Sequence, residues 1–354
     1  MNGKPIRLGV IGMAPRNMAS TVVILRDVPG LRYQVTGVCG RRAEVAERCA
    51  RQFDIPYWTT DHRALVRRDD VDVVCVYSPD PLHAEHCIAA LDAGKHVVCT
   101  KPMVTSLAEA RAVVAAVRRN RRKFLVGQTM RFDRQFVTLR RLMEDGDLGD
   151  IMAAESFYVH DLRPIYALTP WRLEMPQDFM YGGVTHPVDI LLSFLGDVAE
   201  VHCFAAKGKL TPAYSLKNLF LLNLRFANGV IAQVKGLYDV VEPPLPMMQV
   251  ALYGTRGTAI AEFTDNQPGR LQVVLDRLPV QKPLTMEFEP ETDASAYGHG
   301  ATVVRYMRHF QQCLDEDQEP CPSVLDGARA CAVAAAAWES AESGQVARVD
   351  NNMG

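Results

Sequence analysis

GVIGMAPRNMAS, residues 9–20, is the stretch whose reading decides the fold. It continues an aliphatic run, Ile6, Leu8, Val10 and Ile11, that reads as a buried strand. Gly12 ends the run and a helix-like segment, Met18–Asp27, follows. Strand, glycine and helix in that order open a dinucleotide-binding unit, because the glycine allows the tight turn and the helix start offers N–H groups to a pyrophosphate. The fingerprint for this work is G-x-G-x-x-G, and its three glycine places here hold Gly12, Ala14 and Asn17. Gly12 keeps the turn. Ala14 puts a methyl where backbone should approach phosphate closely, and Asn17 replaces the glycine that lets helix pack on strand. If the later motifs establish a dinucleotide site, phosphates are expected on Gly12 and the helix-start N–H groups, slightly away from Ala14, with Arg16 or Asn17 free to reach them. Alone, the loop favours a plain strand-to-helix turn over a dinucleotide site.

Working outward, the first 125 or so residues keep alternating. Strand-like runs fall at Arg7–Ile11, Gln34–Cys39, Val71–Tyr77, His96–Cys99 and Phe124–Gly127, with helix-like segments between them. That order implies an α/β fold, a Rossmann-type doubly wound parallel sheet with ligands beyond the carboxyl ends of its strands. From about residue 150 the pattern changes. Asn218–Phe226, Val230–Tyr238 and Met248–Tyr253 alternate as antiparallel strands, and Thr185–Leu195, Ala301–Asp315 and Val324–Ser340 read as helices. The expected domains are a dinucleotide-binding domain over 1–127 and an α+β substrate-binding and oligomerisation domain over 128–354. The second is built on a large, mostly antiparallel, open-faced sheet, and the helix at about 324–340 is expected to pack back on the first domain. An open face needs covering, so a homodimer or homotetramer is expected.

Composition removes several classes of function. The 354 residues carry a net charge of −2, which gives nucleic acid no basic field to bind. The basic run Arg118–Lys123 stands where a helix C-terminus attracts cations. No stretch approaches the roughly 18–20 apolar residues of a membrane span, and the N-terminus runs straight into a strand, without a signal-peptide pattern. Nine scattered cysteines form no C-x-x-C pair and no zinc spacing, so a structural metal is not expected and a reducing cytoplasm is.

The second strand ends Val38-Cys39-Gly40-Arg41-Arg42, about where an acidic residue would hold the ribose 2′-hydroxyl of NAD. Here Gly40 and two guanidinium groups replace the acid. Arg41 and Arg42 favour a 2′-phosphate, and NADP is preferred over NAD.

Two later stretches, Tyr77-Ser78-Pro79-Asp80-Pro81-Leu82-His83 and Ala93–Pro102 (AGKHVVCTKP), extend the pattern. With Val126–Phe132, Gly149–Ile151, Trp171-Arg172, Gly182–Asp189, Phe226–Gly229 and Tyr253–Thr258 they run in order along nearly the whole chain. Together these resemble the Gfo/Idh/MocA family, the glucose–fructose oxidoreductase and inositol dehydrogenase group, with its T-P-N-x-x-H turn and A-G-K-H-V-x-x-E-K-P strand end.

The resemblance implies an NAD(P)-dependent dehydrogenase or reductase acting on CH–OH groups of a sugar, glycoside or polyol. Lys101 matches the family lysine at a strand end beside the nicotinamide, where a cation polarises the substrate oxygen. His186 matches the family histidine that moves the hydroxyl proton. Cofactor contacts fall on Ser78, Pro79, His83, Lys101 and Gln128. Substrate candidates are Asp189, His160, Asp161, Arg163, Trp171, Arg172 and Tyr181, with charged groups and aromatic faces mixed as a small carbohydrate requires. The chain departs from the family at Thr100 in place of glutamate, Asp80 in place of asparagine, and Gly182 in place of an aspartate four residues before the histidine. Tyr181, Asp161 or His160 could fill that last place. Two alternatives stay open: a cofactor-retaining, redox-assisted glycosidase or lyase, and a non-catalytic ligand sensor.

Overall fold

The structure is a computed structural model that describes residues 3–12, 24–264, 267–277, 283–289 and 300–354. Ala14, Arg16 and Asn17 lie outside the described residues. The chain divides into two compact units, one of Met1–Thr129, Glu291–Ala328 and Met353–Gly354, the other of Met130–Pro290 and Arg329–Asn352.

The first unit holds a six-stranded sheet of β1 (Ile6–Ile11), β2 (Tyr33–Cys39), β3 (Trp58–Thr59), β4 (Val73–Val76), β5 (His96–Thr100) and β6 (Phe124–Gly127), in the order β3-β2-β1-β4-β5-β6. Every pairing is parallel. β4 and β6 are buried at every residue, as unbroken apolar runs must be when both faces are covered. The order reverses between β1 and β4. Right-handed crossovers on either side of that point lead to opposite faces, which opens a crevice at the strands' carboxyl ends. Helix Leu107–Asn120 shows how locally the sequence directs this unit. Ser106 caps its start by accepting from the Glu109 N–H at 3.2 Å, and Val113, Val114 and Val117 turn one stripe inward. The basic run closes it, with Arg121 in the left-handed region and Arg119 paired to Asp92 at 2.5 Å.

The second unit holds a nine-stranded sheet of β7 (Ile151–Val159), β8 (Val198–Ala206), β9 (Leu219–Phe226), β10 (Ile231–Leu237), β11 (Met248–Gly254), β12 (Gly257–Phe263), β13 (Gly269–Leu275), β14 (Leu284–Phe288) and β15 (Ala347–Arg348). Its order is β14-β13-β12-β11-β7-β10-β9-β8-β15, antiparallel except between β7 and β10. β9 alternates strictly: Phe220, Leu222, Leu224 and Phe226 are buried, while Leu221, Asn223 and Arg225 face outward. Helix Thr185–Leu195 covers the inner face against β7, β10 and β11, and only Ser193 of its residues is not fully buried. Helix Val324–Ser343 belongs to the first unit as far as Ala328 and to the second from Arg329. In the second unit its Trp338 stands edge-on to Phe220 and donates from Nε1 to Asp178 at 2.9 Å.

Candidate active site

In the first unit the expected cofactor residues stand at strand ends along one edge. Gly12 follows β1, Gly40 to Arg42 follow β2, Ser78 and Pro79 follow β4, Lys101 follows β5 and Gln128 follows β6. Main chain builds the centre of this edge. Gly12 has φ of 94°, and a Cβ on it would stand 2.3 Å from the Tyr77 carbonyl and 2.4 Å from the Ser78 nitrogen. No side chain fits there, so the turn is a cradle open only to a bare backbone. The Gly12 N–H donates to the Cys39 carbonyl at 3.0 Å, and the Tyr77 N–H to the Ile11 carbonyl at 2.7 Å, fixing the three strand ends together. Arg41 and Arg42 are exposed, and Arg42 makes only a loose pair with Glu44 at 3.8 Å.

Two residues of this edge turn inward. Ser78 is buried, its hydroxyl hydrogen-bonded to His86 Nδ1 at 2.8 Å. Burial, helped by the neighbouring His62, holds His86 down at about 4, so its ring is neutral near pH 7. His83, expected on the cofactor, is wholly buried, with both ring nitrogens against main-chain carbonyls. It keeps no polar atom for a cofactor, and its place among the cofactor contacts is corrected accordingly.

In the second unit His186 lies in the first turn of helix Thr185–Leu195, its ring edge-on to Tyr158 of β7 at 5.9 Å. Asp189 is three residues on. Both its oxygens accept from Arg131, whose Nε and Nη2 each stand 2.7 Å away, with side-chain exposures of 7% and 1%. A carboxylate clamped in this way ties Arg131 to the helix turn that carries His186. Arg131 is the residue that sequence reasoning passed over. It stood in a matched motif, yet nothing local signals a partner 58 positions away.

Asp161 and Arg163 are likewise absorbed by each other. Nη2 and Nε of Arg163 lie 2.5 and 2.9 Å from the carboxylate, and this hydrogen-bonded guanidinium holds Asp161 below its ordinary range. His160 stacks on Tyr158, with the tyrosine hydroxyl 3.3 Å from Nδ1. Tyr181 is buried, Arg172 is half-buried, and Trp171 opens helix Trp171–Glu174. At Gly182 the structure places a neighbour where a side chain would be: a Cβ would meet Cδ and Nε2 of Gln177 at 2.5 and 2.6 Å. A carboxamide therefore fills the slot beside Gly182.

Around Tyr158 runs a chain of rings that the sequence did not reveal. Tyr158 meets Tyr238 at 5.2 Å, Tyr238 stacks on Phe179 at 4.7 Å, Phe179 meets Tyr214 at 5.5 Å, and Tyr214 stacks on Tyr166 at 5.9 Å. The hydroxyls of Tyr166 and Tyr238 are buried without a hydrogen-bond partner among the described residues. Burial drives both phenols upward, so they remain protonated donors. Among the described residues no group of three or more metal-ligating side chains could hold an ion, and no helix is long and apolar enough to cross a membrane.

A doubly wound parallel sheet with a glycine cradle at its switch point, joined to a unit built on a broad antiparallel sheet, defines a two-domain dinucleotide-binding protein. Residues 6–128 match the GFO/IDH/MocA oxidoreductase family's NAD-binding Rossmann fold, and residues 136–260 match its C-terminal domain. The chain belongs to this family and is an oxidoreductase that uses a nicotinamide cofactor. It is 27% identical to a 1,5-anhydro-D-fructose reductase of Ensifer adhaerens, over 98% of this chain and 99% of the reductase. It is 24% identical to the levoglucosan dehydrogenase of Pseudarthrobacter phenanthrenivorans, over 84% of this chain and 85% of that protein. A solved levoglucosan dehydrogenase in complex with NADH has the same fold, at a TM-score of 0.85 and 21% identity, covering 98% of this chain and all of the other.

Proposed function

We propose that this enzyme transfers a hydride between NADP, or less favourably NAD, and a carbohydrate-like alcohol or carbonyl: a sugar, glycoside or polyol. The observation that carries the reading is the Gly12 cradle after β1 and Lys101 after β5 on one edge of the sheet, separated by β4, since bare backbone and a cation along the same row of strand ends suit a dinucleotide and an alkoxide. A nicotinamide held along the strand ends by the Gly12 cradle, Ser78 and Gln128 would supply the hydride acceptor for the carbinol carbon, or the donor in reduction. Lys101 holds the substrate oxygen and stabilises its developing negative charge. His186 takes the hydroxyl proton as the carbonyl forms and gives it back in reduction. Asp189, clamped by Arg131, keeps the helix turn of His186 in place. The buried ring chain from Tyr238 to Tyr166 stiffens the wall behind His186, and half-buried Tyr158 is its member with a ring face open to the C–H surface of a substrate. Exposed Arg41 and Arg42, with no acid at Gly40, support the 2′-phosphate.

The same reading extends to assembly and compartment. Phe204, Leu221, Ile231 and Val274 stand exposed on the outer sheet face, which supports a homo-oligomer. All nine cysteines are free thiols, which supports a reducing cytoplasm. The test is a panel of sugars, anhydrosugars, glycosides and polyols followed by the absorbance of reduced cofactor. Lys101→Ala and His186→Ala are expected to lower kcat on the active substrate by about 10²- to 10⁴-fold while still folding. Near wild-type turnover in either variant would refute its assigned role.

A further inference from the structure

His83 begins helix His83–Asp92 and has no exposed surface. Its Nδ1 lies 2.7 Å from the Pro102 carbonyl oxygen and its Nε2 lies 2.8 Å from the Ser78 carbonyl oxygen. A carbonyl oxygen only accepts, whereas a neutral imidazole has one N–H and one lone pair. Either neutral tautomer would press that lone pair against an oxygen lone pair, in a buried setting where the repulsion is unscreened. Both nitrogens satisfy their contacts only when both carry protons. The two carbonyls bound in this way belong to the loop after β4 and to the residue following Lys101. A rigid ring between them fixes their separation.

From this geometry we propose that His83 is a positioning residue: a buried imidazolium that ties the Lys101–Pro102 turn to the Ser78 loop and thereby sets where Lys101 stands. The proposal rests on the reading of Lys101 given above. The groups facing the ring are the Cys99 thiol from β5, Asp80 from the turn before the helix, and His86 from its own helix. Burial opposes the charge, while Cys99, Asp80 and the Ser78 carbonyl raise the ring above its ordinary value. Because Cys99 is itself held protonated by burial, the carbonyl and Asp80 are the sources with the clearer physical basis. The sign follows from the upward shift. The stabilisation by His83 is fully present below about pH 6.5 and fades as pH rises through the raised folded-state value.

The experiment has two arms on the full chain. Nitrogen-15 NMR of histidine-labelled wild-type protein at about pH 8 should show one ring, absent from His83→Asn, with both nitrogens protonated, although free histidine is neutral there. A neutral His83 overturns the proposal. This arm needs no substrate, so it stands or falls separately from the enzymatic reading. The second arm compares reductive methylation of Lys101, followed by peptide mass spectrometry, and steady-state kinetics in wild type, His83→Asn and His83→Phe. Expected are an altered Lys101 labelling rate, a kcat lowered about 10²-fold in His83→Phe with dinucleotide KM nearly unchanged, and partial recovery in His83→Asn. Wild-type labelling of Lys101 in a folded variant overturns the positioning role. Should His83→Phe fail to fold, His83→Asn decides this arm by itself.

Discussion

The cofactor edge of the first unit and the His186 region of the second are built from different materials. At the cofactor edge the essential contacts are main chain: Gly12 against Tyr77 and Ser78, and strand ends joined by N–H and carbonyl groups. In the His186 region they are side chains gathered from distant positions: Arg131 on Asp189, and Tyr158 between His186 and Tyr238. Main-chain machinery tolerates no added atom but accepts many sequences around it. Side-chain machinery depends on particular partners, and it fails when one partner of a pair is lost.

The comparison can be broken at several points. The largest effect is expected at Gly12. Gly12→Val forces Cβ into the Tyr77 carbonyl and should destabilise the protein by more than about 4 kcal/mol and abolish dinucleotide binding, as read by urea unfolding and calorimetry. Asp189→Asn comes next, because it removes the carboxylate that holds the buried Arg131 guanidinium at two points. Its expected cost is about 3–5 kcal/mol in unfolding free energy, whereas the double variant Arg131→Met/Asp189→Leu should regain most of that loss. A fully additive double variant would show that the two groups do not act as a pair. The smallest effect belongs to Arg42→Ala on the exposed rim. Stability should move by no more than about 0.5 kcal/mol, while KM for NADP rises about tenfold and KM for NAD stays put.

The same contrast explains what could be read from sequence. β4 and β6 were legible because a strand covered on both faces is an unbroken apolar run, and β9 because one covered face leaves strict alternation. β3, two residues on the sheet edge, carries no such run. Val198–Ala206 was missed because a bulge between Val198 and Glu200 breaks its alternation and the apolar Phe204 stands on the exposed face. Lys101 and His186 stood out because each sits in a local motif. Arg131 did not, since its meaning lies in a partner that only the fold brings near. Asp161 and Arg163 looked like ligand-binding groups because a sequence displays their charge and hides that each neutralises the other. His83 was placed on the cofactor by its neighbours Ser78 and Pro79, whereas the helix it begins turns it into the core. The contact of Gln177 with Gly182 was not legible, because Gln177 precedes the short helix Phe179–Gly182 and no periodicity aims its side chain at that helix's last residue.

The central claim is net hydride transfer between a nicotinamide and a carbohydrate-like substrate. Reduced cofactor deuterated at the transferable position, incubated with the enzyme and the carbonyl substrate found in the panel, tests it most directly. The account predicts alcohol product carrying deuterium on the former carbonyl carbon, in amounts matching the cofactor oxidised. Product formed with the cofactor unconsumed and no deuterium released to it would contradict the account.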